Sequence, residues 1–169
     1  MKNSLTPSLL SLLVIGILLS SCSSNESGTV MLANNMDLEL RQNEKVIENN
    51  TEVVEFHDSV FNSYGALNWP LYKALEGKNY RSFVGVPIET NSSQLIEMVE
   101  NDDSNRIIEK YEGDSTSFIK YQKGDLYIVS VIADYNKFLW TLSATSEDST
   151  AVSFLFDPEK FSNRVKSNE

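Results

Sequence analysis

A single histidine, His57, stands between Glu55 and Asp58. By type it is the residue best suited to general acid–base work, because imidazole titrates near neutrality. To act as a base it needs a nucleophile or water within hydrogen-bond reach and a partner that orients the ring. Val53, His57, Val60, Phe61 and Tyr64 fall on one face of a helical stretch. That placement favours a histidine at the edge of a core, with its polar atom satisfied, over a catalytic one. One histidine and one cysteine leave too few ligands for the usual kinds of zinc site. There is no glycine-rich phosphate loop, nucleophile elbow or dinucleotide fingerprint. No metal, cofactor or catalytic residue is assigned from the sequence.

Carboxylates are the other available chemistry. Glycoside hydrolysis needs only two acids about 5 to 10 Å apart in the fold, and the chain carries 24 acidic residues. A small carboxylate-dependent hydrolase therefore stands as the alternative reading. The run from Asn101 to Glu112 sets Asn101, Asp103, Asn105 and Glu112 at ligand positions of a calcium loop. Arg106, however, occupies the place where that loop turns on glycine. A polar passage from helix to strand is the expectation there. With 14 basic residues the net charge is −10, which argues against nucleic acid as a partner. Among the aromatics, Trp69 and Tyr135 sit in expected connections, where an exposed ring would serve as a partner contact.

The N-terminus reads as an address. Met1-Lys2-Asn3 is followed by an apolar run from Leu9 to Leu19, then Ser20-Ser21 and the sole cysteine, Cys22. The run is short of the roughly 20 apolar residues that a spanning helix needs and has the layout of a secretory signal. Leu19-Ser20-Ser21-Cys22 resembles the lipobox of bacterial lipoproteins. The resemblance covers only the first 22 positions. It implies a signal peptide over residues 1–21, cleavage before Cys22, diacylglycerol on the Cys22 sulfur and usually a further acyl chain on the new amine. Two or more chains hold a protein stably to a bilayer. The implied lodging is the cell envelope. Ser23 and Ser24 follow the cysteine instead of the aspartate of an inner-membrane retention signal, which favours the outer membrane in a Gram-negative cell. In a Gram-positive cell the same label means the outer face of the only membrane. The implied partners are the bilayer, through acylated Cys22, and an envelope protein or cell-wall component. The expected function is a non-catalytic binding or accessory module.

Beyond the signal, residues 22–36 begin polar and small and read as a tether, residues 37–160 as one α+β domain, and residues 161–169 as a polar tail. Met36 to Glu48 forms a small hairpin around Gln42-Asn43-Glu44 or stays irregular; the residues leave both open. Apolar spacing predicts a helix over 52–64, a second opening at Asn68-Trp69-Pro70 with Leu71, Tyr72 and Leu75 inward, and a third over 92–100. Phe83 to Ile88 is expected to be extended, because Pro87 disfavours helix around it. Five strand-like runs follow: 106–112, 116–122, 125–132, 137–144 and 150–156, separated by turn residues. Short connections predict an antiparallel β-meander of about five strands with the N-terminal helices packed on it. Helices that include Ala74 to Tyr80, followed by a meander, resemble in order the cone-shaped nuclear-transport-factor-2-like domains. Another two-layer helix-on-sheet domain fits the pattern as well.

Overall fold

Leu126 to Tyr135 carries apolar side chains on alternate and intervening positions alike, and a strand of that kind has to be covered on both faces. In the computed structural model, which describes residues 28–32, 36–61, 69–86, 90–135 and 138–167, this strand is β8. In chain order the elements are β1 (Thr29–Leu32), β2 (Met36–Glu39), β3 (Lys45–Ile47), α1 (Thr51–Phe61), β4 (Leu71–Glu76), β5 (Arg81–Gly85) and α2 (Ser92–Asn101). The long strands β6 (Asn105–Glu112), β7 (Thr116–Lys123), β8 (Leu126–Tyr135) and β9 (Phe138–Ser146) follow. The chain closes with α3 (Ser149–Val152), a 3₁₀ turn (Ser153–Leu155), α4 (Pro158–Ser162) and β10 (Val165–Ser167).

Seven strands form one antiparallel sheet in the order β3-β4-β5-β9-β8-β7-β6. β6 to β9 is a meander whose β7–β8 turn is made by Gly124 at φ 59°, a left-handed conformation that glycine adopts without penalty. The other half, β3-β4-β5, joins the meander through β5 on β9, with Arg81 opposite Thr145 and Gly85 opposite Thr141. α2 lies between β5, in the middle of the sheet, and β6, at its far edge. An asparagine starts it: Asn91 accepts from the Gln94 backbone N–H and Gln94 returns the bond, a reciprocal cap. The second sheet has three strands, β1-β2-β10.

The large sheet is the middle layer. On one face Phe83, Ile119, Tyr121, Ile128 and Ile132 meet Val53, Val60 and Phe61 of α1 and Leu95, Ile96 and Val99 of α2. On the other, Val129, Val131, Trp140, Leu142 and Ala144 meet Val30 and Leu38 of the small sheet and Val152, Leu155 and Phe161 of the C-terminal turns. Each large side chain so buried contributes about 1.5 to 3 kcal/mol. β8 and β9 alternate strictly, so one slip in register would swap these faces.

The expected fold class is corrected here. Strand accounts for 47% and helix for 26% of the described residues, which makes the domain mostly β rather than helices packed on a meander. Three strands precede the first helix. The stretch expected as a second helix is β4, which pairs with β5 from Leu71 opposite Gly85 to Glu76 opposite Arg81. Partner strands on both sides outweigh its helical spacing. Ala74 to Tyr80 is thus part of a hairpin, and the element order behind the nuclear-transport-factor-2-like resemblance is absent among the described residues. The fifth strand-like run is α3 and the 3₁₀ turn. Asp148 caps it by accepting from the Thr150 N–H at 2.8 Å, and Val152 and Leu155 point inward together. Strand structure begins at Thr29, within the stretch read as tether, and β10 falls within the stretch read as tail. β2 and β3 belong to different sheets, so the turn between them closes no hairpin.

Candidate functional site

Cys22 and the lipobox lie outside the described residues. Trp69, a candidate partner contact if its ring were exposed, is 1% exposed. Its Nε1 donates to Thr141 Oγ1 at 2.9 Å and its ring packs on Phe61, so it is a core residue and not a partner contact. A side-chain carbon at Gly85 would collide with its indole; the glycine makes room for it. Tyr135 ends β8, and its side chain lies outside the described part. His57 is buried among Phe61 and Phe83, with ring centroids 5.1 and 5.7 Å away. Burial pulls its pKa down against the Asp58 carboxylate 3.1 Å from Nδ1.

The acidic loop after α2 is a turn. Asp102 Oδ1 accepts from the Ser104 N–H and hydroxyl at 2.9 and 2.6 Å, and Glu112 ends β6. Among the described residues no three metal-binding side chains stand close enough to hold an ion. Four carboxylates are held below their ordinary range: Glu76 by Lys45, Asp102 by Ser104, Asp148 by Thr150 and Asp157 by Lys160. A general acid working at neutral pH needs the opposite shift. An open groove of about 380 Å³ runs past Phe56, Tyr80, Arg81 and Leu126. Glu76 and Glu147 line it, but Glu76 is already paired with Lys45 at 2.9 Å.

A densely bonded polar cluster was not legible in the sequence. The turn Arg41–Glu44 closes with Glu44 N–H on Arg41 O at 2.9 Å and puts Asn43 at φ 66°, a conformation asparagine tolerates better than most residues. It turns the Glu44 side chain inward, where none of it is exposed. One oxygen, Oε2, accepts from the Arg41 N–H at 2.9 Å and from Arg164 Nη2 at 2.5 Å. The other, Oε1, accepts from the Tyr80 hydroxyl at 3.3 Å. Arg164 Nε donates to Glu39 O at 3.0 Å. Burial draws the Arg164 pKa down and Glu44 opposes this; a guanidinium starts so high that it stays charged. Burial also raises the Tyr80 phenol, with Glu44 adding to it.

Beside this cluster is a half-enclosed cavity of about 80 Å³, lined by Arg41, Phe154, Leu155, Lys160, Phe161 and Arg164. The Arg41 guanidinium lies 3.6 Å above the Phe154 ring centre, a cation–π contact. The sequence hint was Asn43 in a turn; nothing pairs position 44 with position 164 in advance.

No known family matches the chain, and no curated protein is significantly similar to it. Among the described residues no helix is long and apolar enough to cross a membrane.

Proposed function

We propose that the chain is a lipid-anchored bacterial envelope protein whose folded domain is a binding or accessory module rather than a catalyst. The observation that carries this reading is Leu19-Ser20-Ser21-Cys22 directly after an apolar run. The domain supports the second half. Its one histidine is buried against phenylalanines, and its shifted carboxylates are held ionised by partners.

The chain passes from Cys22 to the first residue of β1, Thr29, in seven steps. Fully extended, that distance is at most about 25 Å. A partner therefore lies close to the bilayer that holds the lipid: an envelope protein or cell-wall component, at the outer membrane if the cell is Gram-negative. The test is cross-linked capture from intact envelopes with the anchored protein as bait, beside Cys22→Ser. The expected result is a membrane-bound wild type, a released variant, and one protein or polymer recovered with the wild type alone. Wild type in the soluble fraction would overturn the anchor. A stoichiometric partner retained by the released variant would overturn the need for proximity.

A further inference from the structure

The chain enters a three-layered domain through one of its outer layers. β1 is an edge strand of the small sheet, which covers one face of the large sheet, while α1 and α2 cover the other. From Cys22 to Thr29 the chain reaches about 25 Å at most. Packed sheets lie about 10 Å apart, and a helix with its side chains is about 10 to 12 Å across. The outer surface of the helices therefore stands roughly 25 Å from the small sheet. Laid with its helices on a bilayer, the domain would hold Thr29 at the limit of that reach. Laid with the small sheet down, it needs almost none.

The two outer surfaces also differ in chemistry. α1 and α2 carry Glu52, Glu55, Asp58, Glu97 and Glu100, all exposed, and no lysine or arginine. Arg81 and Lys110 from neighbouring strands offset two of these carboxylates. Anionic headgroups repel such a surface. In the small sheet Val30 and Leu38 point inward, so Met31, Asp37, Glu39 and Lys166 point outward across its three strands. Glu39 and Lys166 neutralise one another at 3.0 Å. Met31, 61% exposed, is the most exposed large apolar side chain among the described residues, and none of the others is on α1 or α2.

We propose that the outer face of the small sheet lies on the bilayer that holds the Cys22 lipid, with Met31 among the headgroups and the acidic helices turned away. This orientation rests on the anchored reading. One methionine would not hold a free domain to a membrane. The lipid, however, keeps this face beside the surface, so its contact is made at high effective concentration, and an apolar side chain gains by entering the interfacial layer. A folded protein between this face and the bilayer would draw the tether to its full length, which favours lipid over protein as the occupant.

The test uses the lipid-modified protein in vesicles of phosphatidylethanolamine and phosphatidylglycerol, with a fluorophore on a single introduced cysteine; an acylated Cys22 does not react. Lys166→Cys puts the label on the small sheet, at the edge away from β1, and Glu97→Cys puts it on the helix layer; both positions are exposed. With lipids that carry a nitroxide on the headgroup, the label at 166 is expected to be quenched severalfold more than the label at 97. Met31→Glu, at another exposed position, should lower the quenching at 166 by about twofold or more, because a charge replaces the apolar contact. Circular dichroism melts establish that each variant is folded. Protein that does not float with the vesicles would overturn the anchor, and this orientation with it. Protein that floats but is quenched equally at the two positions, or more at 97, would overturn the orientation and leave the anchor standing. Unchanged quenching at 166 in Met31→Glu would mean that the tether alone holds the domain, and would overturn the docked face.

Discussion

Glu44 and Arg164, 120 positions apart, meet at 2.5 Å with the Glu44 side chain wholly buried and the Arg164 side chain 13% exposed. The pair joins the turn between the two sheets to the segment that leads into β10, and Tyr80 fastens it to the β4–β5 hairpin. Taking away one partner of such a pair leaves a buried charge uncompensated, at a cost of about 3 to 5 kcal/mol. Glu44→Gln, which preserves shape, is expected to lower the unfolding free energy by that amount, read as a fall in the urea midpoint at an unchanged slope. Glu44→Leu combined with Arg164→Met should recover most of the loss, because two apolar groups need no counterion. A loss below about 1 kcal/mol for Glu44→Gln would mean that the pair is hydrated in solution.

Trp69 and Trp140 are both buried, at 1% and 4% exposure. The intrinsic fluorescence should therefore be blue-shifted and resist quenching by iodide, and Trp69→Phe should remove part of the signal without uncovering a quenchable component. Trp69→Phe and Thr141→Val each break the bond between these side chains, at about 0.5 to 1.5 kcal/mol, and in Trp69→Phe the Thr141 hydroxyl still donates to Gly85 O at 3.4 Å. Emission near that of free tryptophan, or rapid quenching, would place Trp69 at the surface after all.

What was legible in the sequence follows from how local the cause is. Asn91 and Gln94 cap α2 with atoms three residues apart, and that helix stands where its spacing put it. Gly124 and the apolar repeats around it mark the β7–β8 hairpin for the same reason. β4 was misread because Leu71, Tyr72 and Leu75 fit a helical stripe, while the deciding partner, β5, supplies backbone bonds that no side-chain pattern records. The run 150–156, which is α3 and the 3₁₀ turn, was misread because seven residues are too few to tell period 2 from period 3.6. Glu44, Arg41 and Arg164 were invisible as a site: their meeting depends on β10 closing the small sheet.

Ser130 and Ser143 face one another across β8 and β9 with their hydroxyls 2.7 Å apart, in a wall of aliphatic side chains. Ser130→Ala or Ser143→Ala alone strands the other hydroxyl, at about 1 to 3 kcal/mol. The double alanine variant leaves no polar atom to satisfy, so its loss should be smaller than the sum of the two. A double-mutant cycle on urea melts reads the difference directly. Strict additivity would mean that the two hydroxyls find other partners.

His57 sets the pH response near neutrality. Burial lowers its pKa below 6.5 in the folded chain despite Asp58, so between the folded value and about 6.5 the unfolded chain binds more protons than the native one. Stability then rises with pH across that window; it is full above it and lost as pH falls through it, by about 1.4 kcal/mol per unit of pKa difference. The depressed carboxylates Glu76, Asp102, Asp148 and Asp157 act in the same direction but lower, where stability is lost as pH falls below about 4. The two windows separate the causes. His57→Phe, set among Phe61 and Phe83, should flatten the urea midpoint between pH 5 and pH 7 and leave the acid limb in place. An unchanged slope from pH 5 to pH 7 in that variant would mean that His57 titrates alike in both states, and that the neutral-range response belongs to another group.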